Sequence, residues 1–237
     1  MTKRLALAML IAILPAVASA QNVEKSKDTK KVVQKPSRDF VMLQLTYNGW
    51  QNKPDSINLE GFNRGINGYI CYDFPIGKSS HLSFAAGIGL SSSNYYFKNQ
   101  RVVANDTGSA AVIRFHDTTG FKRSKMNVTY LQAPFELRYF GNKDNRNVGF
   151  KAAIGLQVGT LLGSHAKNNY TIQGTNVKAL DKTSTKRFLN TWNFAATARV
   201  GWGNFSLFGS YNLTTLYKDL QGPPLTPYSF GICISGL

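Results

Sequence analysis

Residues 135–156 read FELRYFGNKDNRNVGFKAAIGL. Phe135, Leu137 and Tyr139 share one parity, and Glu136 and Arg138 share the other. After a polar turn, Phe150, Ala152, Ile154 and Leu156 alternate with Lys151, Ala153 and Gly155. A period of two is that of a β-strand, whose successive side chains point to opposite faces. Two such runs around a short polar turn make a hairpin. One face is apolar with aromatic ends; the other is small, or charged close to the turn.

The same period extends in both directions. It returns at about 41–48, 66–74 and 82–90 before the hairpin, and at 192–202, 205–217 and 228–235 after it. With the strands at about 127–140 and 148–160, eight segments result. The connections alternate in length. Those at 76–80, 141–147 and 202–204 are short; those at 51–65, 99–126, 163–188 and 218–227 are long. In an up-and-down meander alternate connections share a side, so short turns and both termini lie at one end. The fold expected is all-β: an eight-stranded antiparallel up-and-down transmembrane β-barrel over 39–237, with short periplasmic turns and long external loops.

The rival is a soluble eight-stranded barrel with its apolar parity inward and charged side chains outward. The second parity here carries Gly, Ala, Ser, Thr and Asn instead. Small residues suit the narrow interior of eight strands. The apolar parity places Tyr72, Phe74, Tyr139, Trp192, Trp202, Tyr211 and Tyr228 toward strand ends and aliphatics between them, as interfacial girdles flank a lipid-facing band.

The N-terminus agrees with this destination. Lys3 and Arg4 precede an apolar run from Leu5 to Val17, and Ala18-Ser19-Ala20 is a small-residue cleavage motif. Residues 1–20 are therefore expected to be a signal peptide. Residues 21–38, without apolar period, are expected to be a flexible periplasmic segment. The formal charge is +16. An export signal argues against nucleic acid as its partner. Outer-membrane lipid and lipopolysaccharide phosphate are the expected counter-charge. Solvated loops kept soluble by charge are the plain alternative.

Five charges fall on the inward parity near short turns: Asp73, Glu136, Arg138, Lys151 and Arg199. Isolated charges in a narrow lumen are costly, so these are expected to pair as a cluster plugging the lower barrel. An ion path is the functional alternative. Cys71 and Cys233 are the only cysteines. Both are inward, on strands separated by the first, and are expected to be free thiols.

"YLQAPFELRYF" followed by "GFKAAIGLQVGTLL" resembles the small outer-membrane barrels of Bacteroidota called PorT-like. Tyr130, Leu131, Pro134, Leu137, Arg138 and Tyr139 match that family's strand motif, and Gly149, Gly155 and Gly159 its glycine spacing. The motif covers two strands, and the outline covers all eight. The resemblance implies a barrel, and a secretion-system or periplasmic protein as partner.

Catalytic signals are few. Gly87-Ile88-Gly89 lacks the rest of a dinucleotide fingerprint. There is no nucleophile elbow, His-Glu-x-x-His or Cys-x-x-Cys, and no metal or cofactor is expected. His81 falls at a periplasmic turn; of His116 and His165, in or near external loops, only His165 adjoins a candidate nucleophile, Ser164. Asp55-Ser56-Ile57 and Asp117-Thr118-Thr119 look like the short O-glycosylation motif of exported Bacteroidota proteins, with Ser56 and Thr118 as acceptors. The expected role is a non-enzymatic outer-membrane scaffold or accessory, supporting secretion as the resemblance implies. A lipid A-modifying enzyme and a narrow channel are the alternatives.

Overall fold

The structure, a computed structural model, describes residues 41–77, 81–105, 112–117, 121–142, 145–171 and 178–236. The expected signal peptide and the segment 21–38 lie outside the described residues, as does Thr118. Among the described residues there are eleven strands: β1 Val41–Gln51, β2 Arg64–Pro75, β3 Leu82–Phe97, β4 Gln100–Asn105, β5 Val112–Asp117, β6 Phe121–Phe140, β7 Phe150–Thr171, β8 Lys178–Ser184, β9 Trp192–Trp202, β10 Phe205–Asn212 and β11 Thr226–Ser235. A 3-10 turn spans Lys186–Phe188.

Eight of the strands close a barrel in the order β1-β2-β3-β6-β7-β9-β10-β11, every neighbour antiparallel and β11 paired back to β1. The hairpin of 135–156 is the turn-end half of β6 and β7, with Glu136 opposite Gly155 and Arg138 opposite Ala153. Closure leaves the barrel no free sheet edge. The remaining strands belong to the loop end. There β8 pairs with β7 above its contact with β9, and β4 and β5 form a separate hairpin.

The expected face assignment describes the barrel wall. Leu45, Ile66, Ile88, Ile154, Leu156, Leu207 and Ile232 are all exposed, Ile154 by 64%. Asp73, Glu136, Arg138, Lys151 and Arg199 are all buried. An apolar belt of this extent around a polar interior is the reverse of a water-soluble protein.

Two expectations need correction. The connections at 99–126 and 163–188 are largely strand, because β6 and β7 run for 20 and 22 residues. About ten residues suffice to cross a bilayer, so both strands project well beyond one. Their amphipathicity inverts on the way. Near the turn end Phe135, Leu137 and Ile154 point outward; near the loop end Lys125, Asn127 and Lys167 do, while Met126, Val128 and Ala166 are buried. A bulge between Thr129 and Tyr130 lies close to the inversion. A search for one apolar-out parity stops where the outside ceases to be apolar. The second correction concerns the segment from 205, which ends as a strand at Asn212 rather than near Tyr217. Beyond the exposed Leu213 the chain turns inward, and Leu216 and Tyr217 join the loop-end core.

Candidate functional site

The interior is layered. At the turn end, Arg138 donates from Nη1 to Asp73 Oδ1 at 2.8 Å and from Nε to Glu136 Oε2 at 2.7 Å. Arg199 donates from Nη2 to the same Glu136 oxygen at 3.1 Å and from Nη1 to Ser235 Oγ at 3.1 Å. Strand β3 separates Asp73 from Arg138, so the ion pair spans the lumen wall across three strands. Gly155 makes room for this arrangement: a Cβ there would strike the Phe135 carbonyl and crowd Glu136.

Lys151 occupies the same wall but lies closer to the turn, its Nζ 5.7 Å from the centroid of Phe140. Glu136 is held by Arg138 and Arg199. A cation outside the five expected charges completes the layer. Arg146, from the turn 141–149, folds into the mouth with Nη1 3.5 Å from Asp73 Oδ2 and its guanidinium 4.9 Å from the Phe140 ring. Asn147 anchors that turn by donating to the Gly236 carbonyl at 3.2 Å. Within a turn no parity exists, so only the presence of a basic residue there hinted at this role.

Above the charges sits an apolar layer of Met42, Tyr69, Cys71, Phe208 and Cys233. Both cysteines are buried, and neither is in a disulfide. Next comes a belt of polar side chains. Tyr69 donates its hydroxyl to Gln132 Oε1 at 2.6 Å, Gln132 donates to Asn193 at 3.4 Å, and Asn67 donates to Gln44 at 2.9 Å. The belt borders a polar cavity of about 40 Å³ between Ser91, Gln157, Asn193 and Ser229, room for a few waters.

The loop end is closed by a second hydrophobic core. Trp50, Tyr95, Phe97 and Met126 from the barrel strands meet Val102 of β4, Ile113 of β5, Phe188, Leu189, Leu216, Tyr217 and Leu225. Trp50 and Tyr95 rings lie 4.4 Å apart. Tyr217 donates to Met126 Sδ at 3.5 Å, and burial pushes its phenol well above the usual range. Asn190 holds the 213–217 segment by donating to the Thr215 and Tyr217 carbonyls at 2.8 and 3.0 Å. Backbone bonds from Ile113 N to Gln221 O and from Lys98 N to Asn58 O tie the connections to one another.

The remaining candidates are dispersed. Ser164 is buried, donates to the Asn127 carbonyl at 2.9 Å and shares a hydrogen bond with Thr185 Oγ1 at 2.7 Å. His165 follows it on β7 and so faces the other side. Ser164 and His165 do not converge. His81 Nδ1 is 2.6 Å from the Phe140 carbonyl at the turn end, and His116 stands on β5, opposite Arg101. Ser56 is exposed in the β1–β2 connection. Among the described residues no group of three or more His, Cys, Asp or Glu side chains has the placement to hold a metal.

Residues 34–217 match the family described as the outer membrane protein beta-barrel domain. The chain belongs to this family. It is accordingly an integral outer-membrane protein, and its exposed apolar belt is the surface that meets lipid. Among solved structures it is similar to Ail, the attachment invasion locus protein of Yersinia pestis, at 11% identity and a TM-score of 0.39, over 85% of this chain and 98% of that one. No curated protein matches it.

Proposed function

We propose that this protein is a non-enzymatic scaffold or accessory of the outer membrane, of the PorT-like kind found in Bacteroidota, serving protein secretion through partners held at its two ends. The long connections and the strand extensions face the cell exterior, and both termini are periplasmic. The observation that carries this reading is the closure of the barrel at both levels: buried ion pairs below and an aromatic core above. Among the described residues the lumen is plugged by side chains, as the narrow interior of eight strands allows, and this favours a scaffold over a channel. What it supplies is a rigid post topped by a packed platform. The separated Ser164 and His165 side chains agree with a role other than lipid acyl chemistry. In this orientation Ser56 is exposed toward the cell exterior as an O-glycosylation acceptor, while Ile57 beside it is buried in the loop-end core.

Cross-linking in native membranes followed by capture of the full chain tests the role. Recovery of secretion-system or periplasmic proteins, lost when residues 21–38 or the 99–126 connection are removed, is the expected result. Lipid A altered in a deletion strain would replace the scaffold by an enzyme, and steady conductance in planar bilayers would replace it by a channel. For orientation, a cysteine placed at Asp181 should be labelled on intact cells and one at Asn142 should not.

A further inference from the structure

At the level where the outward face turns from apolar to polar, four residues stand side by side on consecutive strands. Tyr96 of β3 is directly opposite Lys125 of β6, Lys125 opposite Lys167 of β7, and Lys167 opposite Lys182 of β8. Paired residues in a ladder share a face, so the three lysines project together, about 5 Å from strand to strand. Arg64 of β2 extends the row: its guanidinium is 5.7 Å from the Tyr96 ring, and Lys125 Nζ is 5.9 Å from it. Like charges placed directly opposite destabilise a sheet. Among the described residues no carboxylate lies within ion-pair distance of Lys125, Lys167 or Lys182. Glu60 reaches this region only through its backbone, donating to the Tyr96 carbonyl, and Asp181 accepts from Thr183 on the opposite face of β8.

Arg64 also borders a groove on the outside of the barrel. Its volume is about 530 Å³, and Leu45, Tyr47, Phe62, Ile66, Phe230 and Ile232 line it. Tyr47 packs between Phe62 and Phe230, with centroids 6.1 and 4.9 Å away. An apolar groove opening toward a row of cations has the polarity of an amphiphile: acyl chain below, anionic headgroup above.

We infer that this face binds a phosphorylated lipid of the outer leaflet, its acyl chain in the Tyr47–Phe62–Phe230 groove and its phosphates on Arg64, Lys125, Lys167 and Lys182. Lys125 and Lys182 are two strand spacings apart, roughly 10 Å, which exceeds the reach of one phosphate and fits a headgroup bearing two, as in lipid A. Phosphate oxygens between the lysines remove the like-charge repulsion that the ladder otherwise carries. The inference rests on the exterior placement of the loop end proposed above, but binding in detergent does not depend on that placement, so the labelling experiment and this one can fail separately.

The test is native mass spectrometry of the full-length protein, folded in detergent, with bis-phosphorylated lipid A. Wild type should retain lipid A. K125A/K167A/K182A, shown to be folded by its heat-dependent gel mobility, should bind at least about tenfold more weakly, and K125R/K167R/K182R should bind as wild type does. Dephosphorylated lipid A and phosphatidylglycerol should bind wild type as weakly as lipid A binds the alanine variant. Equal binding of lipid A to wild type and the alanine variant would overturn the inference. So would equal binding of the dephosphorylated lipid or of phosphatidylglycerol to wild type. Displacement of lipid A by inorganic phosphate at millimolar concentration would assign the row to a soluble anion and also overturn it.

Discussion

Arg138 Nη1 lies 2.8 Å from Asp73 Oδ1, an ion pair made between strands that are not neighbours and shielded almost wholly from solvent. The same guanidinium holds Glu136 through Nε. One side chain thus joins β2 and β6 across the floor of the barrel. Arg138→Met keeps the apolar stem and removes the charge, leaving Asp73 with Arg146 and Glu136 with Arg199. A buried pair broken on one side typically loses about 3–5 kcal/mol. Urea unfolding in detergent micelles should show a loss in that range, smaller to the extent that Arg146 moves onto Asp73.

Glu136 is shared between two cations, so its removal is expected to be non-additive with theirs. Glu136→Ala takes the carboxylate from Arg199, and Arg199→Ala takes one of the two cations from Glu136, whereas the double variant loses their shared contact only once. Interaction energies within such a network run to about 0.5–3 kcal/mol. A double-mutant cycle on unfolding free energies should return a value within that span for Glu136–Arg199. A cycle value of zero would show that the 3.1 Å contact contributes nothing.

The wall carries its own prediction. Ile154→Arg places a charge on the lipid-facing band and should cost about 2–4 kcal/mol near the bilayer midplane. Gly155→Val meets a different obstacle, because its Cβ collides with the Phe135 carbonyl. Folding into liposomes of increasing thickness separates the two: the arginine penalty should grow with hydrocarbon depth, and the valine penalty should not.

At the loop end, Trp50 is buried against Tyr95 and Phe97. Trp50→Ala should cost about 3–5 kcal/mol within that core. The barrel wall below keeps its ladder, so the loss should be local. Limited proteolysis should cut the β4–β5 region and the 213–225 segment faster, while the heat-dependent mobility of the barrel on gels stays unchanged. Loss of that mobility shift would show that the two levels unfold as one unit.

Cys71 and Cys233 lie on β2 and β11, with β1 between them. Two strand spacings exceed the Cα separation of a disulfide. Mass spectrometry of the non-reduced digest should find both thiol peptides separate, and gel mobility should not change with reductant. A linked peptide would contradict the strand order.

Period-two alternation is local, so it was readable at the hairpin 135–156 and, from there, around the barrel. Bilayer physics turns that local signal into a global one, because a wall between lipid and a narrow lumen admits a single arrangement of large apolar and small polar parities. Short turns and inward charges followed from the same parity, and so Asp73, Glu136, Arg138, Lys151 and Arg199 could be named before their distances were known. The sequence could not assign their pairing. Glu136 reaches Arg199 and Arg138 reaches Asp73 across strands whose relative stagger is set only when the barrel closes. Nor could it place Arg146, since a turn has no faces, or the loop-end core. Ile57, Val102, Ile113 and Leu225 are scattered through long connections with no common period, and their burial depends on which connections meet above the barrel. The extensions of β6 and β7 obey the same alternation with its sign reversed, because there water lies outside and apolar side chains lie within. The chain alone carries both patterns, but only the tertiary structure decides where along each strand lipid ends.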